Sequence, residues 1–170
     1  MELDPIKIKN TSDNADVLIA MLEHKGLKYK VKERTESRTR IRIHFEGNGL
    51  PFTVYMILRA DRQIVSVFSV MPFTVPDGKR YEAAIAVAAA NHGLIDGSFD
   101  INTETGEIRF RLTSCFIGAV LCEELYSYLL YVSAETIDRF NDRFDDLASG
   151  RCTLEDFIRA DEQDAQAAYS

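Results

Sequence analysis

Residues 80–113 read RYEAAIAVAAANHGLIDGSFDINTETGEIRFRLT. Alanine dominates Tyr81 to Asn91, with Tyr81, Ile85 and Val87 spaced along it. Such a run predicts a helix, and its small side chains suit close packing on a sheet. Gly93 closes the helix. From Ser98 the period changes to two: Phe99 and Ile101, then Ile108, Phe110 and Leu112, alternate with polar residues. Glu104-Thr105-Gly106 supplies a tight turn between the strands Ser98–Asn102 and Glu107–Thr113, its glycine free to take positive φ. The unit is helix, stop, strand, turn, strand.

The same pattern recurs toward the N-terminus. Val17, Leu18, Met21 and Leu22 form an apolar stripe that predicts a helix over Asp13–Lys25, capped by Thr11 or Ser12 and stopped at Lys25-Gly26. Leu27, Tyr29 and Val31 then alternate with Lys28, Lys30 and Lys32, and Ile41, Ile43 and Phe45 with Arg40, Arg42 and His44. These read as two half-buried strands, each apolar on one face and basic on the other. Gly47-Asn48-Gly49 turns the chain into a third strand, Phe52–Arg59, and Ala60–Gln63 into a fourth, Ile64–Met71. Both carry apolar residues on both faces, the mark of central strands that need cover on each side.

Beyond the hairpin, Ala119–Leu147 predicts a long helix. Its stripe runs Leu121, Leu125, Tyr128, Val132, then Ile137, Phe140, Phe144, Leu147. The shift near Ser133-Ala134 predicts an irregularity or two abutting helices. Gly150 ends it. Thr153 and Asp156 have capping-box spacing for a short further helix. Ala160–Ser170 has little apolar surface and is expected to fray. The division is one α+β domain over 1–150, followed by a C-terminal helix and acidic tail over 151–170. The sheet is antiparallel with helices largely on one face, in the order α-β-β-β(-β)-α-β-β-α.

Composition narrows the function. At 170 residues with net charge −7, the whole chain is disfavoured as a nucleic-acid binder. No run reaches the ~18 apolar residues of a membrane span. The start, MELDPIKIKNTSDN, lacks the pattern of a secretory signal. Cys115, Cys122 and Cys152 form no CxxC pair, which points to reduced thiols and a cytoplasmic setting; Cys115 and Cys122 are expected to behave as small core residues.

No catalytic constellation emerges. GxSxG, Walker and GxGxxG motifs are absent. Asp100, Asn102 and Glu104 alternate as in a calcium loop. The sixth and twelfth positions of that loop, however, hold Thr105 and Arg111 where glycine and a carboxylate are needed. His24, His44 and His92 lie in separate elements and lack zinc spacing. Carboxylates on the long helix, Asp138 and Asp142 among them, read as a solvated face. The expectation is no catalytic, cofactor-binding or metal-binding residue.

One patch stands out. Lys28, Lys30, Lys32, Arg38, Arg40 and Arg42 gather on the first two strands of an acidic protein. They form a candidate interaction face for a protein partner or for a second copy in a homodimer. Aromatics do not alternate with these cations along the chain, which argues against a single-stranded nucleic acid.

The helix through Asn91 into GSFDINTETGEIRFRLT, followed by a long acidic-faced helix, resembles the YbjN family of bacterial proteins. The matching features are Asn91, Gly97–Asn102, Glu104–Gly106 and Glu107–Leu112. The resemblance implies a type III secretion chaperone-like fold, with an extra strand here in the first sheet segment. It also implies a regulatory label without a mechanism and without catalytic residues. The reading is a non-enzymatic protein-interaction or chaperone-like regulator. The alternative is a small-ligand-binding domain or enzyme, with a pocket between sheet and long helix near Tyr126, Tyr128 and Tyr131.

Overall fold

The computed structural model describes residues 3–168, with side chains through Asp161 and that of Gln163. The elements are α1 (Pro5–His24), β1 (Tyr29–Arg34), β2 (Arg38–Phe45), β3 (Phe52–Arg59), β4 (Ile64–Thr74), α2 (Arg80–His92), β5 (Ser98–Ile101), β6 (Glu107–Cys115), α3 (Glu123–Ser149) and α4 (Leu154–Ala168). All strand pairs are antiparallel, in one six-stranded sheet of order β1-β2-β3-β4-β6-β5. The α+β class and the extra strand of the first segment are as the sequence predicts. Tyr169 and Ser170, the end of the tail expected to fray, lie outside the described residues.

The helices share one face of the sheet. Ile41, Ile43, Val54, Met56, Val65, Val67, Phe110 and Leu112 point to that side and join Leu18, Leu22, Leu130, Ile137 and Phe140 in a single core. Phe99 and Phe157 complete an aromatic cluster with Phe140 and Phe144: Phe99 lies 5.1 Å from Phe140, and Phe144 lies 4.9 Å from Phe157. Phe157 is delivered by α4, whose start is the expected reciprocal cap. Asp156 N donates to Thr153 Oγ1 at 3.2 Å, and Thr153 N donates to Asp156 Oδ2 at 3.1 Å.

The first helix starts eight residues before the expected Asp13, at Pro5, with Asp4 accepting from Ile6 N at 2.9 Å. Polar residues hold this added stretch in place. Asn10 Nδ2 donates to Gln63 Oε1 at 2.7 Å and to Phe116 O at 2.9 Å. Gln63, at positive φ in the β3–β4 turn, donates back to Lys7 O at 3.0 Å. Thr11, expected as a cap, is buried mid-helix and donates to Lys7 O. A hydrophobic stripe cannot reveal a helix start held by amides.

The long helix is one piece of 27 residues, the first of the two expected alternatives, and it starts at Glu123 rather than Ala119. Ser133 and Ala134 are buried, and Ser133 Oγ bonds Ser69 Oγ on β4 at 2.7 Å. The small pair marks close approach to the sheet. Early in the helix the buried residue is Tyr126, while Tyr128, expected in the stripe, is 48% exposed. Asp138 accepts from Asn48 N at 2.8 Å and so caps the β2–β3 turn, a structural role the solvated-face reading missed. Cys115 and Cys122 are exposed, contrary to expectation. Cys115 points away from the helices because it pairs with Ile64 in the outward register of β4 and β6.

Candidate interaction surface

Strand registers set the outward side chains of the sheet in rows. One row reads Lys30, Arg42, Tyr55, Phe68, Arg111, Ser98 across all six strands. The row on one side of it holds Glu33, Arg40, Ile57, Ser66 and Thr113; the row on the other holds His44, Thr53, Val70, Arg109 and Asp100. Tyr55, Ile57, Phe68 and Val70 are half-buried by their neighbours and take no part in the core. An aromatic and aliphatic centre flanked by cations therefore lies on the face that no described helix covers.

Some of these cations are already paired. Arg38 meets Glu33 at 3.1 Å, Arg59 meets Asp61 at 3.1 Å, and Arg109 and Arg111 share Asp100 at 3.2 and 3.3 Å. Lys30, Lys32, Arg40 and Arg42 form no ion pair among the described residues. The guanidinium of Arg40 lies 4.6 Å above the ring of Tyr55, and that of Arg109 lies 5.2 Å above Phe68. The Nε–H of Arg40 is shielded from solvent and meets no acceptor among the described residues. Crowding by Arg42, then by Lys30, holds the Lys32 ammonium below the ordinary lysine pKa.

The expected patch is thus one end of a larger face. Lys30 and Lys32 lie on β1, an exposed edge strand rather than a half-buried one, and Lys28 precedes it. Arg38, Arg40 and Arg42 line β2. The linear reading missed Arg59, Arg109, Arg111, Tyr55 and Phe68. Aromatics do interleave with cations here, but across strands, which only the pairing reveals. The signal for the arginines was present in the alternation of Arg109 and Arg111 with Ile108, Phe110 and Leu112.

The two sheet edges differ. On β5, Asn91 of α2 imitates a strand: its Oδ1 accepts from Phe99 N at 2.7 Å and its Nδ2 donates to Phe99 O at 3.1 Å. Gly97, at positive φ, admits the ring of Phe110, whose Cζ stands where a Cβ would clash with it. Among the described residues no such seal covers β1, where lysines discourage strand-to-strand aggregation. On the outside of α2, Tyr81 is 88% exposed and Ile85 53%, and Ala88 extends the uncharged stripe.

The space between sheet and α3, expected as a pocket in the alternative reading, is filled. Tyr126 lies wholly inside it and donates to Asn14 Oδ1 at 2.8 Å, and burial raises its phenol pKa. Tyr128 instead bonds Asp96 at the surface. Asp100 of the calcium-like stretch is engaged by Arg109 and Arg111. Among the described residues, no three His, Cys, Asp or Glu side chains are grouped to hold a metal ion. No described helix is long and apolar enough to cross a membrane.

The family YbjN, described as "Putative bacterial sensory transduction regulator", matches residues 14–146. The chain belongs to the YbjN family. Among solved structures, the YbjN-family chain is similar to YbjN of E. coli, titled "a putative transcription regulator", at TM-score 0.54 and 11% identity over 79% of this chain and 92% of that one. It is also similar to a chain of the ExsC-ExsE complex at TM-score 0.53 and 17% identity, over 77% and 95%. These likenesses establish the type III secretion chaperone-like fold. No curated protein matches at the sequence level. The family features Asn91, Gly97 and the Gly106 turn all have structural roles: they seal and shape the β5–β6 end.

Proposed function

We propose that this YbjN-family chain is a non-enzymatic, chaperone-like regulator that acts in the cytoplasm by holding a protein partner on the open face of its sheet. The observation that carries the reading is the Tyr55–Phe68 centre, apolar surface that the chain's own core leaves unused. Contiguous apolar surface rimmed by polar groups marks binding sites. The ExsC-ExsE complex, a neighbour in fold, supports a protein as the occupant. The second copy of a homodimer is assigned to a different surface, the Tyr81–Ile85 stripe of α2. Because that stripe is uncharged, a two-fold contact there opposes no like charges.

Site-specific photocrosslinking in the native host tests the reading. A photoreactive residue at position 68 should trap one discrete protein, whereas one at the exposed Glu135 of α3 should not. Equal trapping at both positions, or none at position 68, overturns it.

A further inference from the structure

The chemistry of the open face says what kind of segment it holds. Among the described residues Lys30, Arg40 and Arg42 form no ion pair, Glu33 opposite Arg40 being taken by Arg38, and the buried Nε–H of Arg40 meets no acceptor. A protein of net charge −7 has concentrated uncompensated cations on one side of a sheet. Guanidinium groups match carboxylates with two parallel hydrogen bonds. The central row adds a length. Arg42, Tyr55, Phe68 and Arg111 stand on four successive strands of the sheet. At ~4.8 Å per strand, the two arginines are roughly 14 Å apart. An extended chain advances ~3.3 Å per residue, so side chains at i, i+2 and i+4 share a side and span about 13 Å.

Building on the open-face reading above, we propose that the partner contributes an extended acidic segment of the form acid–x–apolar–x–acid, laid across the strands. Its apolar side chain covers Tyr55 and Phe68. Its first carboxylate binds Arg42 with Lys30 and Arg40 beside it, and its last binds Arg111, sharing that cation with Asp100. A single-stranded nucleic acid fits less well. Arg40 and Arg109 each lie over one of the two rings, so a base cannot stack fully on Tyr55 or Phe68, whereas an apolar side chain needs only the part of these half-buried rings that remains exposed. A long polyanion would also meet the acidic remainder of the protein.

Fluorescence anisotropy with the full chain tests this. The probe is a labelled peptide with a core of Asp-Ser-Phe-Ser-Glu between neutral flanks. The comparisons are the same peptide with lysine at both acidic positions, the same peptide with serine for phenylalanine, and a thymidine oligonucleotide. The acidic aromatic peptide should bind saturably and weaken as salt rises. It should lose at least about tenfold in affinity with Arg42→Glu and with Phe68→Ser, and less with Arg42→Gln, in proteins whose circular dichroism is unchanged. Absence of saturable binding, affinity indifferent to both variants, or tighter oligonucleotide binding lost in the same variants overturns the proposal. If a protein is trapped at position 68 but the acidic peptide does not displace it, the acidic-segment inference fails while the open-face reading stands. If nothing is trapped there, both fall.

Discussion

Tyr55 on β3 and Phe68 on β4 are direct cross-strand partners on the side of the sheet away from the helices, with Arg42 and Arg111 as the next residues of the same row. Cross-strand aromatic pairs contribute about 0.2–1 kcal/mol. Phe68→Ser should therefore lower stability by less than about 1 kcal/mol. Phe110→Ala, on the helix side of β6, should cost about 3–5 kcal/mol. Urea denaturation of the two variants checks the asymmetry. Similar losses would mean that the open face belongs to the core.

Asn91 replaces a missing strand at the β5 edge. Asn91→Ala leaves Phe99 N and O without those partners and should cost about 1–3 kcal/mol. Asn91→Asp keeps an acceptor for Phe99 N but sets a second carboxylate oxygen against Phe99 O, so it should not restore the stability lost in Asn91→Ala. Hydrogen exchange at the Phe99 amide should quicken in the alanine variant.

Asn14 is wholly buried and fully used. It donates to Asn10 O and Ala119 O at 2.8 and 3.0 Å, and accepts from Leu121 N and Tyr126 Oη at 3.0 and 2.8 Å. It joins α1 to the segment entering α3. Asn14→Leu is close in volume but strands those groups, and should cost roughly 2–4 kcal/mol. Thermal or chemical denaturation measures the loss. A neutral result would show that water replaces the side chain.

Burial raises the Tyr126 phenol pKa above its ordinary value of 10.0. With the folded pKa above the unfolded one, the contribution to stability is complete below about pH 10 and is lost as pH rises beyond it, because only the unfolded chain ionises readily. Stability measured at about pH 9 and about pH 11 should fall for the native protein. It should fall less for Tyr126→Phe, which is weaker at neutral pH for want of the bond to Asn14. Parallel declines would assign the alkaline loss to other groups.

Ile85→Glu places a charge at the middle of the α2 stripe. If copies meet there, sedimentation velocity should show the native protein as a dimer and the variant as a monomer with an unchanged circular dichroism spectrum. A native protein that is monomeric over a wide concentration range would remove this surface from the proposal.

Much of the fold was legible because it is local. The strand Phe52–Arg59 was read with its observed ends, as were the stop at Gly26, the end of α3 at Gly150 and the Thr153–Asp156 cap. The failures share a cause. Pro5–Ser12 carries too little apolar stripe to read as helix, and bonds from residues some fifty positions away hold it: Gln63 reaches Lys7 O and Thr11 Oγ1. Ser133-Ala134 looks like a defect until β4 is placed against it. Cys115 looks like core until its partner Ile64 shows which way it points.

The alternation of each strand is readable from its residues alone, and with it two separate facts: that Arg40 and Arg42 share a side, and that Tyr55 and Ile57 share a side. It could not say that these are the same side of the same sheet. That depends on register, set by pairing between residues distant in the chain, and a slip of one residue would reverse it. Only the tertiary structure put Lys30, Arg42, Tyr55, Phe68 and Arg111 in one row and all the helices behind it. Alternation follows from backbone geometry at each residue, whereas the row follows from burying the opposite face.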